Sequence, residues 1–228
     1  VTTGDVADDR PGTLVVVVGT GTEVGKTWVG ARLLAELRAG GLSVSARKPV
    51  QSFDPGDAET DAHVLAAATG EARTDVCPHH RWYERAMAPP MAAEALGRPP
   101  FTIADLVAEL AWPFPAPDVA LVETAGGLRS PLAADGDNLS LVEVLQPDLV
   151  VVVADAGLGT INAVRLTMEA LDRGAHVADL AVFLNRYDGR DDLHRRNAAW
   201  LAGHDGFDVD LAVPDLARRI RAGRPRRM

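Results

Sequence analysis

The sequence predicts an α/β protein, a three-layer sandwich with a mostly parallel central sheet wrapped by helices. Three observations predict it. Short apolar runs alternate with helix-length segments along the chain, the pattern of strands joined by helical crossovers. The runs are nearly continuous in Val and Leu, which suits strands buried on both faces. The first of them, residues 14–18, leads directly into Gly19-Thr20-Gly21-Thr22-Glu23-Val24-Gly25-Lys26-Thr27, and a helical pattern follows. Strand, glycine-rich loop, Gly-Lys-Thr and helix form the layout of a phosphate-binding P-loop, so the sandwich is expected to be of P-loop NTPase type.

The elements follow in order. After the first strand and the loop, a helix is expected at residues 26–39, closed by Gly40-Gly41. A strand at 43–47 delivers Lys48-Pro49-Val50-Gln51-Ser52, with Pro49 holding Lys48 extended. A helix at 58–68 starts near Asp61, whose plain role there is to cap the helix. Residues 75–100, rich in Pro and Met, are expected to form a loop that lines a site or packs on the sheet edge. A helix at 103–111 and a strand at 119–122 lead to Glu123-Thr124-Ala125-Gly126-Gly127. The strand at 149–153 opens through Asp155-Ala156-Gly157-Leu158-Gly159 into a helix at 161–172, and the strand at 180–184 ends at Asn185. A helix at 191–202 and a strand at 209–213 complete the pattern. No internal repeat or low-complexity linker interrupts it. One ligand-binding domain over residues 1–228 is the economical reading, with 1–12 a flexible leader and 218–228 a basic tail.

Composition narrows the function. Of 228 residues, 47% are hydrophobic, enough for a sizeable core. Lys and Arg number 23 against 32 Asp and Glu, a formal charge of −9 that argues against general nucleic-acid binding. The last eleven residues hold six Arg and no acid, expected as a solvated or frayed terminus. The single Cys77 excludes an intramolecular disulfide and suits a reducing cytoplasm. No run of about 18 apolar residues is long enough to span a membrane, and the polar, acidic leader does not read as a signal peptide. The six His show no metal spacing.

The loop's chemistry is direct. Successive backbone N–H groups can cradle phosphate oxygens, and Gly19, Gly21 and Gly25 permit positive φ and close approach. The helix starting at Lys26 aims its N-terminus at the phosphates. Lys26 would reach the β- and γ-phosphates of a nucleoside triphosphate, and the Thr27 hydroxyl would ligate Mg²⁺. Glu23 is unexpected beside phosphate, and is expected to point away or towards a cationic substrate. Five residues rather than the usual four separate the first Gly from Gly-Lys-Thr. Ligand groups of such sheets gather at the C-terminal strand ends. There Lys48 would touch a transferring phosphoryl group, Glu123 would partner Thr27 on Mg²⁺, and Asn185 offers a donor and an acceptor to an adenine edge.

Taken together, Gly-x5-Gly-Lys-Thr, Lys-Pro-Val, Asp-Ala, Val-Glu-x-Ala-Gly-Gly, Gly-Leu-Gly-Thr-Ile-Asn and the late Asn resemble the dethiobiotin synthetase family, from about residue 14 to 214. The resemblance implies an ATP- and Mg²⁺-dependent cyclo-ligase, normally a homodimer. It would condense 7,8-diaminopelargonate with CO₂ into a ureido ring and release ADP and phosphate. By that similarity the catalytic set is Lys26, Lys48 and Thr22. Gly21, Thr22, Glu23, Val24, Gly25, Lys26 and Thr27 would bind the nucleotide phosphates, with Asn185 and Pro214 framing adenine. Thr27, Asp61 and Glu123 would hold Mg²⁺. Glu23, Lys48, Ser52, Gly126 and Gly127 would meet the diamine or its carbamate. Gly159, Thr160 and Asn162 would take the substrate's distant carboxylate from the other subunit. No protein nucleophile is needed.

Two alternatives remain open from the residues. One is a related P-loop enzyme acting on a different diamine or carboxylate. The other is a partitioning or switch ATPase. Those often carry an additional early lysine, where this loop has Gly21 and Thr22.

Overall fold

Five consecutive aliphatic residues, Leu14 to Val18, leave no polar face, so β1 (Leu14–Gly19) is buried along its whole length. A computed structural model describes residues 10–175 and 177–223. Among them, β1 joins β2 (Val44–Arg47), β3 (Val119–Glu123), β4 (Leu149–Asp155), β5 (Leu180–Asn185) and β6 (Val209–Asp210) in one sheet. Its order is β6-β5-β4-β1-β3-β2, and every neighbouring pair is parallel.

Side chains alternate across a strand, and here the alternation separates two cores. Val16, Val18, Val150 and Val152 face one; Val15, Val17, Val151 and Val153 face the other. Helix α1 (Lys26–Ala39) brings Val29, Leu33, Leu34 and Leu37 to the second core, and α2 (Asp61–Thr69) adds Ala62, Leu65 and Ala66. The first core is covered by α3 (Pro89–Ala95), α4 (Ile103–Ala108), α5 (Asn138–Leu145), α6 (Thr160–Gly174) and α7 (Asp192–Ala199). The three-layer sandwich is therefore as expected.

Several boundaries differ. The strand expected at 209–213 stops at Asp210, and Val213 instead opens α8 (Val213–Gly223). Pro214 suits a first helical turn, where its missing N–H has no intrahelical partner to lose. Leu216, Ala217 and Ile220 pack into the α1 core. The described part of the tail, 218–223, is thus docked helix rather than a frayed end. Arg219 pairs with Asp208 and Asp210, and Arg221 donates to the Glu36 carbonyl near the end of α1 at 2.9 Å. Residues 224–228, like residues 1–9 of the expected leader, lie outside the described residues. At the other end, residues 10–12 are tied down: Gly12 N–H donates to the Pro117 carbonyl at 2.9 Å and Arg10 to the Gln146 carbonyl at 3.0 Å.

The segment expected as loop, 75–100, contains α3 and a two-residue strand, Trp82–Tyr83, paired with Gln51–Ser52. Helix α5 was not expected from the sequence. Asp137 caps it by accepting from Ser140 N–H, and Leu139, Leu141 and Val142 bury its inner face. No helix of the described residues is long and apolar enough to cross a membrane.

Candidate active site

Parallel strands present their C-terminal ends along one edge, and the register aligns the chemistry there. Val17 pairs with Glu123, Arg47 with Val122, and Asp155 with Asn185. Lys48, one residue beyond β2, therefore emerges level with Glu123 at the end of β3.

The loop after β1 turns through two left-handed residues, Glu23 (φ 59°) and Gly25 (φ 93°). Gly25 is obligatory twice over: a Cβ there would lie 2.0 Å from the Asn185 amide nitrogen. Gly19 is needed for space, since its Cβ would lie 2.8 Å from the Gly21 carbonyl oxygen. Of the three glycines able to take positive φ, Gly25 does so, Gly19 serves close approach instead, and Glu23 takes the other left-handed position. Lys26 Nζ reaches the Gly21 carbonyl at 3.3 Å. Val24 gives its carbonyl to Asn185 Nδ2 at 2.9 Å.

Beneath the loop, four predicted residues converge. Lys48 Nζ lies 2.7 Å from both Asp61 Oδ2 and Glu123 Oε1, and donates to the Thr124 carbonyl at 2.9 Å. Thr27 Oγ1 is 2.8 Å from Asp61 Oδ1 and from Glu123 Oε1. Asp61 is free for this because it does not cap its own helix. Thr60 is the N-cap, in a reciprocal box with His63. Lys48 is 2% exposed and Glu123 1%.

Burial sets the electrostatics. It pushes the Glu123 carboxyl above its ordinary value, and the nearby Lys48 offsets only part of that. Burial also acts upward on Asp61, but the Lys48 charge, with hydrogen bonds from Lys48 and Thr27, outweighs it and holds the carboxyl below the usual range. For Lys48 burial acts downward and is outweighed by Asp61 and Glu123, which hold the ammonium above its usual value. Lys26, lacking such direct partners, is lowered by burial and then by Lys48 to about 8. A buried ammonium in that condition is poised to receive an anion.

The donors fit a hard divalent cation. Two carboxylates and a hydroxyl are oxygen ligands of the kind Mg²⁺ takes. Glu123 Oε2 is buried with no hydrogen-bond partner among the described residues. An unpaired buried carboxylate oxygen is costly unless a cation or donor meets it.

Two clefts flank the P-loop, and the cluster opens into the first of them. One of about 980 Å³ is lined by Thr22, Glu23, Lys48, Ser52, Asp61 and Gly126, among others. The other, about 860 Å³, runs past Trp28, Asn185, Tyr187 and Pro214. Gly25, Trp28 and Arg186 border both. Ser52 Oγ donates to the Met87 carbonyl at 2.6 Å. Gly127 lines neither cleft; it packs on the P-loop, where a Cβ would lie 3.3 Å from Gly21 Cα. Gly159, Thr160 and Asn162 at the start of α6 also line neither. Gly159 and Asn162 are exposed, and the Thr160 hydroxyl is buried without a partner among the described residues.

Sequence reasoning missed residues that shape the site from a distance. Asn138 Nδ2 donates to the carbonyls of Ala125 and Gly127, each at 2.7 Å, and so fixes the double-glycine turn. Arg186 donates to the Glu23 carbonyl. Neither carries a local signal, because each holds main-chain carbonyls outside its own turn, 11 and 13 residues away for Asn138 and 163 for Arg186.

A family model described as an AAA domain matches residues 13–218. The chain is 39% identical over 214 residues to ATP-dependent dethiobiotin synthetase of Anaeromyxobacter dehalogenans, covering 90% of this chain and 93% of that protein. It is 42% identical over 174 residues to the enzyme of the same name from Caulobacter vibrioides, covering 73% and 77%. Against that from Rhodococcus jostii the figures are 37% over 213 residues, covering 91% and 88%. Among solved structures, a nucleotide-binding protein of Archaeoglobus fulgidus, in complex with ADP, superposes with TM-score 0.52 at 15% identity, over 93% of this chain and 88% of that one. A plasmid partition protein of Borrelia burgdorferi bound to AMPPNP gives 0.51 at 14% identity, over 96% and 92%. Those two share the fold, whereas the sequence relatives share far more, and the chain belongs to the ATP-dependent dethiobiotin synthetase family.

Proposed function

We propose that this chain is one P-loop ligase domain, residues 1–228, that closes the ureido ring of dethiobiotin from 7,8-diaminopelargonate and CO₂ at the expense of ATP. The observation that carries this reading is the Lys48–Asp61–Glu123–Thr27 cluster, set under the P-loop and open to a cleft that also holds Glu23 and Gly126.

The roles follow from the geometry. The nucleotide phosphates lie on the backbone of Gly21 to Gly25 and the N-terminus of α1, with Lys26 as their cation. Thr27, Asp61 and Glu123 hold Mg²⁺, which when bound neutralises charge on the phosphate oxygens. Asn185 spends one N–H on Val24, leaving its second N–H and its Oδ1 for the N7 and N6 edge of adenine. Pro214 and Trp28 wall the base cleft. In the adjoining cleft, Glu23 faces the ammonium groups of the diamine, and Thr22, Ser52 and Gly126 surround the carbamate.

One substrate amine captures CO₂ as a carbamate and releases a proton. A carbamate oxygen attacks the γ-phosphorus and ADP departs. The second amine attacks the resulting carbamic–phosphoric anhydride and expels phosphate, which takes up the proton the amine loses, closing the ring. The protein supplies position and charge: Lys26 and Lys48 offset negative charge gathering on the transferring group. Gly127 serves close packing of the P-loop rather than substrate contact. Gly159, Thr160 and Asn162 lie outside both clefts of their own protomer, which supports the homodimer in which they meet the distant carboxylate of the partner's substrate. Such an enzyme works in the cytoplasm on small molecules, without nucleic acid or membrane.

Mass detection of a ureido product from diaminopelargonate, bicarbonate and ATP tests the reading. Absence of that product, with ATP consumed only when another diamine or a macromolecule is added, would overturn it. Glu23→Gln is expected to raise KM for the diamine well before it alters ATP affinity; the reverse order removes Glu23 from the diamine site.

A further inference from the structure

We propose that Arg186 is a positioning residue that clasps the P-loop to the loop entering α6 and thereby aims the Glu23 carboxylate. The proposal rests on the assignment of Glu23 to the diamine given above, and extends it to a residue in neither the motif nor the metal cluster.

Two successive residues at the end of β5 hold two successive P-loop carbonyls. Asn185 Nδ2 donates to Val24 O at 2.9 Å, and one nitrogen of the Arg186 guanidinium donates to Glu23 O at 2.9 Å. The other guanidinium nitrogen pairs with Asp155 Oδ2 at 2.9 Å. Asp155 in turn accepts the Gly157 N–H at 2.8 Å through its Oδ1. Asn197 closes the far side by donating to the carbonyls of Ala156 and Gly157, both at 2.9 Å. A continuous chain of polar contacts thus runs from the P-loop through Arg186 and Asp155 to the turn that opens α6.

The backbone shows where the clasp acts. Three non-glycine residues among those described have positive φ: Glu23, Gln146 and Arg186. Two of the three are the partners in this contact. A side-chain-bearing residue resists the left-handed conformation unless its surroundings hold it there. Arg186, half exposed, anchors the Glu23 carbonyl from outside the loop, and the turn at Glu23 sends its side chain into the larger cleft. The Asp155 carboxylate orients the guanidinium fork. A lysine, a point charge with no fork, reaches either the carbonyl or the carboxylate but cannot bridge them in the same way. Exposed ion pairs contribute little to global stability, so the contact is suited to local positioning rather than to folding.

The experiment uses the full chain with Arg186→Ala, Arg186→Lys, Asp155→Ala and the double alanine variant. Arg186→Ala is expected to raise KM for the diamine about tenfold, the size of a typical coupled-pair loss, with ATP affinity changed far less. Asp155→Ala shifts the same constant in the same direction, and the double variant is no worse than Arg186→Ala. Arg186→Lys recovers only part of the loss. Hydrogen exchange of the amides at 20–25 quickens in Arg186→Ala while the melting temperature stays within about 2 °C, as for an exposed pair. Additive effects of the two alanines, unchanged loop exchange, or a loss of ATP affinity as large as the loss for diamine would overturn the clasp. Should the unaltered chain form no ureido product, the reading of the reaction fails, and loop exchange alone then decides the clasp.

Discussion

Lys48→Met isolates the buried charge at the centre of the site. Methionine keeps most of the lysine volume but removes the ammonium that lies 2.7 Å from both Asp61 and Glu123. Asp61, with its side chain 41% exposed, falls back on water; Glu123 cannot. An unpaired buried carboxylate escapes its penalty by taking up a proton, so the cost of protonation caps the loss. From an unfolded value of 4.5 to about pH 7 the gap is about 2.5 pH units. At ~1.36 kcal/mol each this is about 3.4 kcal/mol, within the range for breaking a buried pair. For a chain of this size that corresponds to roughly 7–14 °C in Tm as an upper bound. The sign follows from linkage. The folded variant binds a proton at Glu123 that the unfolded chain does not, so its stability falls as pH rises above 4.5. At about pH 5.5 the cap shrinks to about 1.4 kcal/mol, or roughly 3–6 °C. Thermal melts of wild type and variant at the two pH values provide the assay. A deficit that is the same at both, or larger at the lower pH, would refute the charge argument and point to packing instead. Turnover is expected to drop on the order of 10²–10³-fold; near-normal turnover would remove Lys48 from catalysis.

Three further outcomes follow from the same coordinates. Gly25→Ala places a methyl group 2.0 Å from the Asn185 amide at a φ of 93°; strain of about 1–3 kcal/mol should weaken nucleotide binding roughly tenfold or more by calorimetry. Cys77 is fully buried and burial pushes its thiol from 9.0 up to about 12, so the native protein should react with a thiol reagent roughly a thousandfold more slowly than a free cysteine, and normally once unfolded. Burial acts upward on Glu71, but hydrogen bonds from Arg47, Ser45 and the Ala46 N–H outweigh it and hold the carboxyl below 4.5. Its contribution is therefore present above 4.5 and lost as pH falls through the lower folded value, and Glu71→Gln should flatten the acid limb of a stability–pH curve measured with denaturant.

What could be read from the sequence was local. The longer buried strands announce themselves because a run such as Leu14 to Val18 has no polar face to show. Helix α5 did not, because only Asn138–Leu145 separates its cap from the next turn and its apolar residues blend into a Leu/Val-rich stretch. The final strand was drawn too long because Leu211, Ala212 and Val213 continue its apolar character, yet the helix already begins at Val213, with Pro214 in its first turn. The basic tail misled for an energetic reason. Arginine content says nothing of Leu216, Ala217 and Ile220, whose spacing puts them on one helical face against α1.

The site shows the same division more sharply. Of the residues that would touch phosphate or metal, Lys26 and Thr27 follow Gly25, Lys48 precedes Pro49 and Glu123 ends a buried strand, so a one-dimensional reading finds them, whereas Asp61 at the start of α2 stands out only through the family resemblance. Residues that hold those groups in place, Asn138 and Arg186, lie elsewhere in the chain and contact main-chain atoms, which leave no mark on sequence. Charge supplies the remaining link. Lys26 and Lys48 are balanced by Asp61 and Glu123, so the enclosed cluster has no net positive charge to spend on a triphosphate. On the proposed reading, nucleotide must therefore arrive with an added cation, and the two carboxylates that cancel the lysines are also the oxygen ligands for it. Glu23 stands outside that balance on the open side of the loop, leaving its negative charge for a cationic diamine. The cluster thus separates two jobs that a plain P-loop does not distinguish: neutralising the nucleotide from below, and attracting the second substrate from above.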